Sequence, residues 1–96
     1  MRTKDFKRAE IVCKALANKR RIVILDLLRE REYMSVGEIA KSLKLSLEST
    51  SRHLSILYKA ELLDREQKSL LVRYFLNTER TQLLKYTQQL LAHLAK

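Results

Sequence analysis

Ninety-six residues with a hydrophobic fraction of 46% suit one globular domain and exclude wholesale disorder, and no apolar run approaches the ~18 residues of a membrane span. The opening MRTKDFKRAE lacks the apolar core of a signal peptide, and a single cysteine excludes an intramolecular disulfide, so the chain is expected in the cytoplasm. Twenty Lys and Arg against eleven Asp and Glu leave a formal charge of +9, which predicts a polyanionic partner, either nucleic acid or an anionic membrane surface; the plainer reading is solubility.

The first predicted helix runs from about Thr3 to Leu16. Phe6, Ala9, Cys13 and Leu16 recur at helical spacing with Val12 beside them, an apolar stripe that needs a neighbour. Cys13 is expected in the core; a redox sensor at this position requires access and a depressed thiol pKa. Asn18 is placed to cap a second helix from Lys19 to about Glu30. Ile22, Leu25 and Leu28 are predicted to face the core, and Ile24 and Leu27 add a second apolar edge.

Ser35-Val36-Gly37-Glu38 has the spacing of a capping box, with Met34 and Ile39 placed as a hydrophobic staple. A short helix, Val36 to Leu43, is predicted to follow, with Ile39, Ala40 and Leu43 inward. Lys44 and Leu45 then lead to Ser46, which caps a helix from Leu47 to Ala60. Thr50, Leu54, Leu57 and Ala60 form its buried stripe. The opposite stripe carries Glu48, Ser51, Arg52, Ser55 and Lys59, with Leu47 and Ser49 at the first turn. Short hydroxyls and cations can approach base edges and phosphates. This face therefore suits a DNA major groove, while the helix alone also fits an ordinary amphipathic surface helix. The tight turn before it makes the pair a helix-turn-helix, in which the second helix reads.

The run SVGEIAKSLKLSLESTSRHLSILYKAELL resembles the ArsR family of dimeric winged-helix repressors. So do ALANKRRIVILDLL, with Arg21 at the family's usual arginine, and the run RYFLN from Arg73 to Asn77. Ser46, Ser51, Arg52, His53 and Leu54 form the most specific part of the likeness. The resemblance implies a mainly α winged helix-turn-helix of about five helices with a small β-hairpin wing. It also implies a homodimer formed through the first and last helices, and a repressor function. Lys19 stands where the family often has proline, which costs little beyond a softer helix start.

Leu62 to Gln67 and Leu70 to Leu76 read as the two strands of a hairpin, with Lys68 and Ser69 near the tip. Val72, Tyr74 and Leu76 alternate on one face; Leu71, Arg73 and Phe75 take the other, with Leu71 and Phe75 expected against the last helix. By resemblance this hairpin is the wing, and Arg65, Lys68 and Arg73 are its candidates for a phosphate or minor-groove contact. Ser69 occupies the position of the family's tip glycine, so a longer turn or one of another type is expected. The last helix, capped by Asn77 or Thr78, is predicted from Glu79 to about Ala95. Its Leu84, Thr87, Leu91 and Leu94 follow a heptad-like spacing, widened by Leu83, Tyr86 and Leu90. With the core already supplied by the middle of the chain, apolar surface on both terminal helices points to a second copy. Phe6, Ala9, Cys13 and Leu16 are expected to meet Leu84, Thr87, Leu91 and Leu94 there. The single domain, 1–96, thus divides into dimerisation helices (1–17 and 78–96), the helix-turn-helix (35–60) and the wing (61–77).

No Ser/His/Asp set, Gly-rich phosphate loop or H-E-x-x-H occurs, which argues against an enzyme, and no cofactor is implied. The family's metal sensors carry either paired cysteines in the helix before the reader, or a D-x-H with a later H-x-x-H/E in the last helix. Here the first place reads VGEIAKS and the last helix has only His93, so those donor sets are missing. His53 flanks the reading helix, where it packs or touches backbone in preference to reading a base. Arg52 is the first candidate for guanine O6/N7, with a phosphate clamp as its other role. Glu48 is repelled by phosphates, yet it can accept from cytosine N4 or restrain Arg52 one turn on. The expectation is a homodimeric regulator binding double-stranded DNA at a palindromic operator, with no membrane partner and its effector unknown. A protein-interaction module and a metal- or thiol-responsive switch remain as the other readings.

Overall fold

Four polar side chains set where three of the helices begin. In the computed structural model, which describes residues 2–77 together with 89, 93 and 94, the elements run α1 (Thr3–Leu16), α2 (Lys19–Arg31), β1 (Tyr33–Ser35), α3 (Val36–Leu43), α4 (Leu47–Lys59), β2 (Leu63–Lys68) and β3 (Leu71–Leu76). The Asn18 side-chain oxygen accepts from the Arg21 backbone N–H at 3.2 Å and opens α2. Ser35 and Glu38 close a reciprocal box: Ser35 Oγ accepts from the Glu38 N–H at 3.2 Å, and Glu38 Oε1 accepts from the Ser35 N–H at 3.0 Å. The backbone and side chain of Ser35 accordingly hold the Glu38 carboxyl below its ordinary pKa. Ser46 Oγ accepts from the Ser49 N–H at 3.0 Å and starts α4. Each cap satisfies a donor that the helix itself leaves orphaned.

The core gathers where α2, α4 and the sheet meet, around Ile24, Leu28, Leu54, Leu57, Leu62 and Leu63, all essentially inaccessible. Met34 and Ile39, the two ends of the staple, are buried with them. On α2 the inward line is Ile24, Leu25 and Leu28, whereas Ile22 and Leu27 are only half-buried. Ile24 displaces Ile22 from the predicted core because α2 packs against α1, α4 and two strands at once, so its centre of burial lies between its two apolar edges. On α1 the inward residues are Val12 and Ala15. Cys13, expected in the core, is exposed, turned about 100° from Val12 by the helical step. Phe6 at 59% exposure, Ala9 and the half-buried Leu16 leave much of the predicted stripe uncovered within the chain.

The sheet has three strands, one more than the predicted hairpin. It is antiparallel in the order β1-β3-β2, with β1 registered on β3 through Tyr33–Phe75, Met34–Tyr74 and Ser35–Arg73. The hairpin itself closes tightly, with Lys68 paired to Leu71 and only Ser69 and Leu70 between them. Ser69 takes a positive φ of 57°, so the serine adopts the conformation normally left to glycine and the turn is not lengthened. Leu71 is exposed; Phe75 is half-buried. The predicted last helix, with Leu84, Thr87 and Leu91, lies outside the described residues; Leu94 and His93 are both helical and exposed.

Candidate nucleic-acid interface

The turn between α3 and α4 is held by a compact set of backbone bonds. Lys44 adopts left-handed φ, ψ of 56°, 44°, its N–H donates to the Lys41 carbonyl at 3.3 Å, and the Leu45 N–H donates to the Ala40 carbonyl at 3.0 Å. This is a Schellman closure in which a lysine stands in the usual glycine place. Thr50, Leu54, Leu57 and Ala60 then bury one side of α4, as their spacing requires. Thr50 also donates its hydroxyl to the Ser46 carbonyl at 2.9 Å, which satisfies the one polar group on that face.

The opposite face is open. Leu47, Glu48, Ser51, Arg52 and Lys59 are exposed, and Ser55 is half-buried between them; Ser49 is also half-buried, and its backbone N–H is held by the Ser46 cap. Among the described residues neither Arg52 nor Lys59 has an ion-pair partner, and Glu48 does not pair with Arg52. The two cations therefore stand unneutralised beside small hydroxyls, with a carboxylate one turn before Arg52.

His53 sits on the flank, part-buried, with Nδ1 3.4 Å from Arg21 Nη1. Arg21 can only donate, so Nδ1 accepts and the imidazole is neutral with its proton on Nε2. Burial first, then the charges of Arg21, Arg20 and Arg52, push the His53 pKa below 6.5 and agree with that state. Arg21 also donates Nε to the Ala15 carbonyl at 2.7 Å and Nη2 to the Lys14 carbonyl at 2.9 Å. One guanidinium thus caps the C-terminus of α1 and reaches the flank of the reading helix. The sequence marked Arg21 only through the family likeness; a contact spanning 32 residues leaves no local signal. Lys19 and Arg20, which line an open cleft with Leu43 beside the helix-turn-helix, were likewise not predicted as site residues.

The three wing cations separate. Lys68 is exposed at the end of β2. Arg65 is exposed but braced, its guanidinium 4.1 Å from the centroid of the Tyr58 ring on α4. Arg73 is drawn into the sheet: it pairs with Glu66 and lies 4.3 Å from the centroid of the Tyr33 ring. β1 supplies that ring, so the strand absent from the sequence reading is also what turns Arg73 away from a free phosphate contact. Among the described residues no group of three or more His, Cys, Asp or Glu is gathered to hold a metal, and no helix is long and apolar enough to cross a membrane.

Residues 18–65 match the family described as bacterial regulatory protein, arsR family. The chain is 36% identical over 75 residues to the transcriptional activator HlyU of Vibrio cholerae, covering 78% of this chain and 68% of that protein. It is 40% identical over 67 residues to the transcriptional repressor SdpR of Bacillus subtilis, covering 70% and 73% respectively. Its fold superposes with a TM-score of 0.84 on a homodimeric winged helix-turn-helix DNA-binding domain, Mb0332 of Mycobacterium bovis, at 27% identity over 91% of this chain and 81% of that one.

Proposed function

The chain belongs to the arsR family of bacterial regulatory proteins, and from that premise we propose that it is a homodimeric transcription regulator that reads double-stranded DNA with α4. The observation that carries the reading is the exposed face of α4, where Arg52 and Lys59 stand among small hydroxyls with no ion-pair partner among the described residues. A guanidinium there donates in a bidentate fork to guanine O6 and N7; Ser51 and Ser55 fill the remaining polar edge, and Glu48 selects against bases that offer it no donor. Lys59, Lys68 and Arg65 serve the phosphates, and with a charge of +9 make binding steeply salt-dependent. Dimerisation through the exposed stripe of α1 and the C-terminal segment places two copies of α4 about 34 Å apart, the spacing of successive major grooves. A palindromic operator follows from that two-fold symmetry.

The relatives include both an activator and a repressor; we propose repression, by occupancy of a promoter-overlapping site. Working on DNA places the protein in the cytoplasm. The test is fluorescence anisotropy at near-physiological salt, with duplex from upstream of the protein's own gene and a scrambled duplex of equal length. A preference of about 10³-fold or more for the native duplex supports a specific regulator. Equal affinity for both duplexes contradicts it.

A further inference from the structure

At the wing tip the most exposed large apolar side chain among the described residues, Leu70 at 97% exposure, projects from a turn that is otherwise tightly fixed. The turn contains only two residues, Ser69 holds a positive φ, and Gln67 Nε2 donates to the Ser69 carbonyl at 3.2 Å. Leu71, its neighbour, is also exposed, and Lys68 is its partner across the turn. Two leucines on a rigid hairpin serve no core here, and exposing them costs free energy unless something covers them.

The base of the wing indicates what covers them. Arg65 lies over the ring of Tyr58, which follows Ser51 by two turns and Ser55 by one on the open side of α4. The wing is therefore rooted along the edge of the reading face. Beyond Arg65, β2 adds three residues to Lys68, about 10 Å at the usual strand rise, and the two-residue turn carries the tip further out. A major groove is about 12 Å wide. A hairpin anchored at the edge of a helix in that groove thus reaches across one phosphate backbone, which Lys68 is placed to contact, and sets its tip at the adjacent minor groove. Apolar side chains presented to a minor groove insert between base pairs, unstack one step and bend the duplex.

We propose that Leu70 is such a wedge, inserted into the minor groove flanking each half-site and bending the DNA there. The proposal rests on the DNA-reading function of α4 and adds a contact that reads the deformability of a base step in place of its edges. Its expected preference is for pyrimidine–purine steps at the flank, which unstack most easily.

The test compares the wild type with Leu70→Ser and Lys68→Ala on the operator duplex. Distance changes between end-attached fluorophores report bending, and 2-aminopurine scanned through the flanking steps reports unstacking. Leu70 touches no core, so Leu70→Ser is expected to fold as the wild type does, checked by its unfolding midpoint. The wild type is expected to bend the duplex by roughly 20–90° and to brighten 2-aminopurine at one flanking step in each half-site. Leu70→Ser should lose both signals and bind about tenfold more weakly, with the salt slope unchanged, because no phosphate contact is removed. Lys68→Ala should reduce the salt slope by about one and keep the bend. A Leu70→Ser protein that bends and brightens the duplex as the wild type does overturns the wedge and leaves the α4 reading standing. Failure of the wild type to bind any duplex overturns both. A change in oligomeric state of Leu70→Ser without DNA, with bending intact, assigns the tip to self-association and overturns the proposal.

Discussion

Replacing Arg21 with methionine should cost about 2.5–3.5 kcal/mol of stability, far more than a half-buried surface cation ordinarily contributes. Methionine keeps the apolar stem of the arginine and removes its donors. The Nε bond to the Ala15 carbonyl, at 2.7 Å and part-buried, counts nearly in full, about 1.5–2 kcal/mol for a bond from a charged donor. The Nη2 bond to the Lys14 carbonyl is exposed, water replaces it, and about 0.5 kcal/mol remains. Loss of a cation at the C-terminal dipole of α1 adds about 0.3–1 kcal/mol. The contact to His53 at 3.4 Å is too long to add much. Urea unfolding followed by circular dichroism, at one fixed protomer concentration, measures the difference. Arg21→Lys, which satisfies one carbonyl at a time, should fall between the two. A loss below about 0.5 kcal/mol for Arg21→Met would refute the view that this guanidinium ties the end of α1 to α2.

Other consequences follow from the same geometry. Lys44→Gly should raise stability by about 0.5–1 kcal/mol, since it relieves a left-handed lysine at the Schellman turn; a fall in the unfolding midpoint would mean that the lysine side chain secures the turn. The His53 pKa lies below 6.5 in the folded protein, so the unfolded chain takes up its proton first as pH falls. The contribution of the neutral imidazole is thus complete above pH 6.5 and is lost below it, through the folded pKa. Unfolding measured between about pH 7.5 and 5.5 should show a steeper acid loss for the wild type than for His53→Gln, and parallel curves would remove His53 from the account. Glu38, with its pKa held below 4.5, adds a separate loss only at lower pH. Glu48→Gln should strengthen binding to random duplex and narrow the ratio of operator to random affinity in anisotropy titrations; unchanged affinity for both takes Glu48 out of the reading set.

The helical half of the fold was legible because local chemistry declares it. Asn18, Ser35 with Glu38, and Ser46 are caps whose partners lie three residues away, and each makes the predicted bond. The buried stripe of α4 was equally plain from its spacing. Strand β1 was not: its three residues are too few to alternate, and Met34 and Ser35 carry the stronger local signals of a staple and a cap. They serve both purposes, because the start of α3 abuts the sheet. Once β1 is in place, Tyr33 and Glu66 claim Arg73, a nonlocal competition that residue type alone does not reveal. Cys13 was misplaced for a related reason. A stripe on α1 gives the apolar side of the helix, but Val12 and Ala15, not Cys13, are the residues buried where α1 meets α2 and α4. The uncovered remainder of that stripe, Phe6, Ala9 and Cys13, all exposed, is what the proposed dimer accounts for.

The most direct test of the central proposal is guanine-N7 methylation protection on the operator by the wild type and by Arg52→Ala. Two copies of α4 in successive major grooves predict two protected clusters about 10 base pairs apart, centre to centre, and loss of the guanine signal in both for Arg52→Ala at concentrations that still saturate the duplex. A single cluster would contradict the paired readers, and an unchanged pattern with Arg52→Ala would contradict the assignment of base reading to this face of α4.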